Sequence, residues 1–425
     1  MRPDVGAFLI SVFFISGASF AASGLHLSVF LIGPAISFII YILFRRKIRL
    51  SLPFSLILSI CLILGAFYFH LRDIQSGFSD REVFKENVFI NSFPEKGRGS
   101  VIYGAETPDG ELVDIRARPY PSFRYGDILM IDGKISLTKN GTPTVIFPEI
   151  TIVGEGAGSP IIAAVFKLRE RLTAGLKSSL SPRSSALASG ILLGDKSGFS
   201  DDMWDDFRET GTTHIVALSG FNIAVVIWAV GLLVAGFSRR FRSACVLITV
   251  SLFVIMAGAE SSAVRAAIMG SLMLMGRDIG RSTGMRNVIA LSALLMVVWD
   301  PSVVIMDIGF ELSFLAVIGI IYLAPFIRGL IGLTEEASLG GVLVDTVSAQ
   351  VMVLPILLLR FGSVSWYSVI VNLVVVGTVP LAMTLSLFTA VFGSVPGSIS
   401  VIVGSLADVV LRYELETIHL FAVVF

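Results

Sequence analysis

Charge, cysteine and histidine are all scarce in this chain. Of its 425 residues 15% are charged, and 32 basic side chains balance 32 acidic ones. Ordinary soluble domains carry roughly 25% charge, so the composition argues against a soluble globular enzyme. Zero net charge leaves no global basicity to hold nucleic acid. The two cysteines, Cys61 and Cys245, both lie in apolar runs. They read as small buried hydrophobes, with no disulfide framework and no CxxC site. The four histidines, His26, His70, His214 and His419, are far apart. There is no HExxH, no HxHxDH and no Cys/His cluster, hence no recognisable metal hydrolase. A GxxxxGKS or GxxxxGKT loop is absent, as is GxSxG, so neither a Walker-type ATPase site nor a nucleophile elbow is present. Ser219 follows His214 by five residues, which places the pair on different helix faces. A Ser219 nucleophile would need a distant base. No catalytic residue, metal ion or cofactor is expected, and the chain is not expected to be an enzyme.

What is abundant is apolar sequence. Hydrophobic residues make up 54% of the chain, and the mean hydropathy is +0.85. This rules out a disordered polymer. The apolar residues gather in long runs of the kind a bilayer demands. Three open the chain, over Leu9–Gly24, His26–Phe44 and Leu52–Phe69. The first lacks a basic leader beyond Arg2 and a second run follows almost at once, which favours a retained span over a cleaved signal peptide. RRKIR (Arg45–Arg49) lies between the second and third runs. Basic clusters stay cytoplasmic, so the N-terminus is expected in the cytoplasm and the third run is expected to emerge on the outer face.

The sequence that emerges has a different grammar. Leu71–Pro160 carries 10 Lys/Arg and 13 Asp/Glu. Short β-branched runs (VFKENVFI, GSVIYGAE, ELVDIRAR, DILMIDGKISL, TVIFPEITIVG) alternate with Gly, Pro, Asn and Asp. Pro108–Gly110 and Asn140–Gly141 read as tight turns. About five short strands at this spacing suit a small barrel of the OB type. GEGAGSP (Gly154–Pro160) reads as a linker. Ile161–Ser181 then repeats apolar residues at helical spacing with Lys167, Arg169, Arg171 and Lys177 between them. It reads either as an amphipathic helix in the membrane interface or as one packed on the soluble domain.

From His214 onward the apolar runs return, several of them short or broken by Gly and Pro. Two basic stretches, SRRFRS (Ser238–Ser243) and GRDIGRSTGMR (Gly276–Arg286), predict one out-and-back hairpin with its turn near Glu260–Ser262. The expected fold class is a polytopic α-helical membrane protein with an inserted small β-barrel (OB-like) extracytoplasmic domain, crossing the bilayer about eight to eleven times. The expected domains are N-terminal membrane helices (1–70), the OB-like domain (71–160), the amphipathic helix (161–183) and a polytopic core (184–425).

Polar residues interrupt the apolar zone at five places. They are His214, Ser219, Gly220 and Asn222; Glu260 and Arg265; Glu311 with Ser313; Asp345, Ser348 and Gln350; and Asn372, followed by Gly377 and Pro380. Ionisable groups in a bilayer are costly and usually face a bundle interior or a water-filled path. Each residue also has a plainer reading. Asn222, Gln350 and Asn372 can glue helices together, Glu311 can sit at headgroup level, and His214 can mark a boundary. Five interrupted, polar-bearing segments together predict a transport path. On the outer domain, RARPYPSFRY interleaves Arg116, Arg118 and Arg124 with Tyr120, Phe123 and Tyr125. That pattern suits a single strand held by charge and stacking, or ordinary surface arginines on a barrel loop.

At this point the motif string resembles the ComEC/Rec2 family, the inner-membrane channel protein of bacterial DNA uptake. Ser185–Val226 is similar to the family's Leu-Leu-Gly-Asp run, acidic helix and Thr-Gly-x-x-His step into a Ser-Gly turn. The family usually has His where this chain has Asn222. Ala259–Gly270 resembles its Ser-x-x-Arg-Ala step, Gly309–Pro325 its Gly-Phe-x-Leu-Ser-Phe motif, and Ala349–Pro380 its closing segment, with Gln350 and Asn372 at family positions. The N-terminal part is similar to the family's helical hairpin and OB-like domain. The resemblance implies passage of single-stranded DNA across the bacterial inner membrane, with a periplasmic DNA receptor, a cytoplasmic helicase-like motor and a separate nuclease as partners. Many relatives continue into a metallo-β-lactamase-like domain; this sequence carries no such histidine cluster, so a channel without its own nuclease is expected, either because a partner supplies that activity or because the chain is a truncation. Two other classes compete with this reading: a transporter of small solutes or lipid-linked substrates, whose discontinuous spans look alike, and a non-transporting membrane scaffold.

Overall fold

The computed structural model describes residues 3–22, 52–75, 84–97, 100–137, 143–216, 220–280, 284–332, 339–361, 368–393 and 398–424. It consists of a large helical body and a separate mixed sheet. The expected span over His26–Phe44, the RRKIR cluster, the Asn140–Gly141 turn and Ser219 lie outside the described residues.

Helices α1 (Pro3–Ala22) and α2 (Leu52–Gln75) form the N-terminal pair. Small residues let their backbones touch. A Cβ on Gly17 would collide with the Leu62 carbonyl oxygen, and one on Gly65 with the Phe14 carbonyl oxygen. Ala18, Ala21 and Ala66 are buried in the same seam. This is how helices associate in lipid, where hydrophobicity alone gives no drive and close packing must supply it. Leu56, Ile60, Leu64 and Phe67 of α2 face outward, an apolar stripe suited to acyl chains.

The sheet comprises β1 (Phe84–Ile90), β2 (Glu95–Gly97), β3 (Ser100–Glu106), β4 (Leu112–Ala117), β5 (Ile128–Gly133), β6 (Ile135–Leu137), β7 (Pro143–Ile146) and β8 (Glu149–Gly154). Alternate residues such as Val101, Tyr103 and Ala105 of β3, or Val113, Ile115 and Ala117 of β4, enter one core, as the pleat requires. The Pro108–Gly110 turn joins β3 to β4, with Gly110 at φ 82° and its N–H donating to the Thr107 carbonyl at 2.9 Å. The strand order is β6-β7-β4-β3-β1-β5-β8, with β2 on β3. All pairs are antiparallel except β4 with β7. The sequence predicts a small barrel of the OB type, whereas the sheet is open among the described residues. Its terminal strands β6 and β8 pair inward, with β7 and β5, and not with each other. Strand alternation sets which face is buried; it carries no information on whether the last strand reaches the first.

Helix α3 (Pro160–Ser179) starts after the glycine-rich linker. It turns Val165, Phe166, Arg169, Gly175 and Leu176 inward and leaves Ile161 and Leu168 exposed. The core follows as α4 (Pro182–Leu193), α5 (Asp201–Glu209), α6 (Thr213–Val216), α7 (Gly220–Leu233), α8 (Arg239–Met256) and α9 (Ser261–Asp278). Next come α10 (Met285–Trp299), α11 (Val303–Met306), α12 (Ile308–Ile318), a π-type turn at Gly319–Leu323 and α13 (Ala324–Ile331). Helices α14 (Leu339–Phe361), α15 (Ser368–Val375), α16 (Val379–Phe392) and α17 (Ser398–Val424) complete it.

Helices α8 and α9 form the hairpin that the basic clusters predict. Gly258 and Ala259 turn the chain with positive φ. At the far end, Arg239 Nε lies 3.4 Å from Asp278 Oδ1. Helix α3 packs into this body, with its Gly175 carbonyl against Gly393 at the end of α16. The largest apolar core joins Leu176, Leu187, Val216, Val371, Met383 and Leu411 from six of these elements.

Among the described residues three helical stretches are long and apolar enough to cross a membrane: Val5–Ala22, Ile308–Ile331 and Leu343–Arg360. Asn222–Leu233, Met285–Trp299 and Val379–Phe392 are apolar but shorter. At 1.5 Å rise per residue such helices fall short of a ~30 Å hydrocarbon core. The protein is therefore a membrane protein whose helical body mixes full-length and short apolar helices.

Candidate functional site

The Leu-Leu-Gly-Asp run closes α4. Gly194 adopts the left-handed conformation at φ 70°, the usual way to end a helix and satisfy its last carbonyls. The N–H groups of Gly194 and Asp195 donate to the Gly190 and Ser189 carbonyls at 3.0 and 3.1 Å. The chain then doubles back, bringing Lys196 to Glu260. Lys196 Nζ donates to Glu260 Oε1 at 2.7 Å, both side chains being about one-third exposed. Glu260 is the N-cap residue of α9, where a carboxylate also favours the positive end of the helix dipole.

One turn into α9 lies Arg265. It is 8% exposed, and its guanidinium carbon sits 5.7 Å from the centre of the Phe314 ring on α12. Its Nε and Nη1 have no hydrogen-bond partner among the described residues. Asp307 caps α12 by accepting from Phe310 N–H at 3.1 Å, and its other oxygen accepts from the Ser261 hydroxyl of α9. The two helix N-termini are thus tied together, with Arg265 behind the tie. Gly220 opens α7 against the same helix, its absent Cβ 3.6 Å from Ala266 Cβ. Glu260, Arg265 and Gly220 therefore form one constellation with Lys196, Ser261, Asp307 and Phe314. A buried cation with open donor capacity can bind an anion once water or ligand reaches it; unmet, those donors cost free energy.

The other candidates are placed as follows. Asn222 is buried, and its amide Nδ2 donates to the Ile191 carbonyl at 2.5 Å in the last turn of α4. His214 lies in the short α6, exposed, with Nδ1 3.1 Å from the Gly211 carbonyl. Glu311 lies 3.9 Å from Arg360 across α12 and α14, and Ser313 is half-buried on α12. Asp345 pairs with Arg328. Gln350 donates to the Ser368 hydroxyl at 2.8 Å, while its own Oε1, like Asn372 Oδ1, is buried and without a partner among the described residues. Gln350 and Asn372 thus lie on neighbouring helices α14 and α15, apart from Arg265 in the chain.

The outer candidates separate by burial. Arg116, Arg118, Arg124 and Tyr120 are exposed. Phe123 is buried in the sheet core, with its ring 5.4 Å from Tyr103. The Tyr125 ring stacks edge-on against Phe89 and Phe166 at 5.5 and 5.0 Å, and its hydroxyl accepts from Ser159 N–H at 3.1 Å. Those two rings hold the sheet to α3. Asp114 on β4 is half-buried, and loss of hydration pushes its carboxyl pKa up.

Two buried charged residues escape the sequence reading. Arg169, on the apparent polar side of α3, is 4% exposed. Its Nη1 donates to the Met256 carbonyl of α8 at 2.7 Å, and its guanidinium carbon lies 3.9 Å from the Phe93 ring centre. It joins the sheet, α3 and the helical core. Glu414 of α17 is fully buried; Oε1 accepts from the Thr378 hydroxyl at 2.9 Å, and Oε2 has no partner among the described residues. Thr378 sits in the break between α15 and α16 that Gly377 and Pro380 signal.

Comparison with known proteins fits this layout. Residues 191–424, more than half of the chain and including the Lys196–Glu260 tie, match the family model described as competence protein. The protein named ComE operon protein 3 of Bacillus subtilis (strain 168) is 27% identical over 214 residues, covering 50% of this chain and 27% of that protein's own length. No solved structure matches. With the family model running from the last turn of α4 to the end of α17, the chain belongs to the competence protein family, the ComEC/Rec2 group whose motifs its sequence carries.

Proposed function

We propose that this protein carries single-stranded DNA across the bacterial inner membrane during natural transformation, as a multi-pass channel or permease. The observation that carries the reading is the family match over the segment that contains Arg265, a buried cation with unmet donors inside the helical body. A strand bearing a charge at every phosphate needs a hydrated path with basic guidance. Short helices, the π-type turn at Gly319–Leu323 and the buried amides of Gln350 and Asn372 suit a path lined by small and polar groups. The N-terminus is cytoplasmic and the sheet, an OB-like platform, is extracytoplasmic. There Arg116, Arg118, Arg124 and Tyr120 receive the strand. These residues perform no bond-making chemistry. A periplasmic DNA receptor delivers the strand, a cytoplasmic helicase-like motor draws it in, and a separate nuclease removes its complement.

The test is deletion of the gene in its native host, with labelled transforming DNA counted separately at the surface and in a nuclease-resistant cytoplasmic pool. The reading requires that surface binding stays, internalisation disappears and complementation restores it. Unchanged internalisation in a competent host sinks it.

A further inference from the structure

A cavity of about 350 Å³ opens between the end of α3, one side of α4 and the loop after α4. Its polar lining is Lys177, Ser185, Ser189, Asp195 and Ser197, with Leu180 as an apolar wall. The volume suits a small ligand or headgroup. Ser189 is 3% exposed, yet its hydroxyl has no partner among the described residues. A buried hydroxyl left unpaired costs free energy, so on a cavity wall it offers a hydrogen bond to an entering ligand atom. Lys177 and Asp195 line the same space, and neither is in an ion pair among the described residues. The Asp195 carboxylate holds the loop by accepting from Ser197 N–H at 3.0 Å. Gly198 closes against Ala186, where a Cβ would come within 3.1 Å, so the loop wall is fixed on α4.

One cation and one anion, unpaired with each other, facing a common hydroxyl-lined space fit a ligand that carries both charges. We propose that this cavity seats the headgroup of phosphatidylethanolamine, its phosphate on Lys177 and the Ser189 hydroxyl and its primary ammonium on Asp195. The bilayer supplies this ligand. Apolar surface for its chains lies at the same end of the body: Val401 and Ile402 of α17 are exposed, and the Ser179 hydroxyl of α3 is 3.5 Å from that of Ser400. A polyanionic strand is the poorer occupant, because Asp195 faces it and exposed Asp201 and Asp202 follow directly on α5. The inference does not depend on the DNA-transport reading.

The experiment is lipid retention by the full chain, purified in detergent and offered phosphatidylethanolamine, phosphatidylglycerol or a short single-stranded oligonucleotide, read by native mass spectrometry. Wild type is expected to retain phosphatidylethanolamine about tenfold over phosphatidylglycerol, the equivalent of about 1.4 kcal/mol. The exposed Lys177→Ala variant loses retention of both lipids. Asp195→Asn loses the preference but keeps phosphatidylglycerol. Equal retention of the two lipids by wild type, a preference unchanged in both variants, or the oligonucleotide displacing the lipid would each overturn the proposal.

Discussion

Lys196 Nζ donates to Glu260 Oε1 at 2.7 Å, joining the loop after α4 to the N-cap of α9 across 64 residues of sequence. The contact ties that loop to the N-terminus of α9, about one turn before Arg265. The pair is partly buried, so its worth is modest: about 1 kcal/mol of coupling in a double-mutant cycle of Lys196→Ala and Glu260→Gln, read from thermal midpoints in detergent. Additive midpoints would show that the two groups do not act together.

Arg265 is the cation in that arrangement whose Nε and Nη1 have no partner among the described residues. Arg265→Ala is expected to insert and fold normally while internalised DNA falls about tenfold or more. Arg265→Lys keeps the charge but loses the planar guanidinium over Phe314, so partial recovery is expected. Internalised DNA equal to wild type in Arg265→Ala removes this residue from the path.

Asn222 holds the last turn of α4 through Ile191. Asn222→Ala leaves a buried carbonyl unmet and should cost about 1–3 kcal/mol in the detergent-solubilised chain. Asn222→His, the residue the ComEC/Rec2 family usually carries there, retains an N–H donor and should recover part of that loss. Equal midpoints for wild type and Asn222→Ala would show that the contact does no stabilising work.

Much of this arrangement is legible in the sequence because it rests on local pattern. Helices α1 and α2, the period-two strands and the α8–α9 hairpin follow from apolar spacing and basic punctuation. Arg265 is visible as a lone cation in an apolar segment. Arg169 is not, because Lys167, Arg169 and Arg171 look alike on a helical wheel and only the arrival of Phe93 and Met256 buries the middle one. Glu414 is hidden for a related reason. Arg412, Glu414 and Glu416 lie close together on α17, and only the Thr378 hydroxyl, distant in sequence, marks Glu414 as the buried one. The roles of Phe123 and Tyr125 depend on Tyr103, Phe89 and Phe166, contacts distant in sequence. The open sheet is likewise a matter of long-range pairing.

The seam between α1 and α2 tolerates nothing larger than glycine at two points. Gly17→Val or Gly65→Val is expected to force the helices apart and to cost about 1–3 kcal/mol by overpacking. The measurement is disulfide trapping between cysteines placed along α1 and α2, which should weaken in the valine variants. Undiminished trapping would contradict the close contact.

Asp114 gives the outer sheet a pH dependence. Burial raises its folded pKa above the ordinary value of 3.8. Its favourable contribution is therefore complete below that value and is lost as pH rises through the folded pKa. Asp114→Asn should stabilise the sheet at neutral pH, with the advantage shrinking toward pH 3.8. An advantage independent of pH would assign the effect to something other than this carboxyl.

The most direct test of strand passage is electrical. The purified chain is placed in a planar bilayer with single-stranded DNA on the side of the sheet, and a voltage draws the strand across. The account predicts transient current blockades with single-stranded DNA, none with duplex DNA of the same length, and a marked drop in blockade frequency for Arg265→Ala. A bilayer that conducts without responding to single-stranded DNA would contradict it.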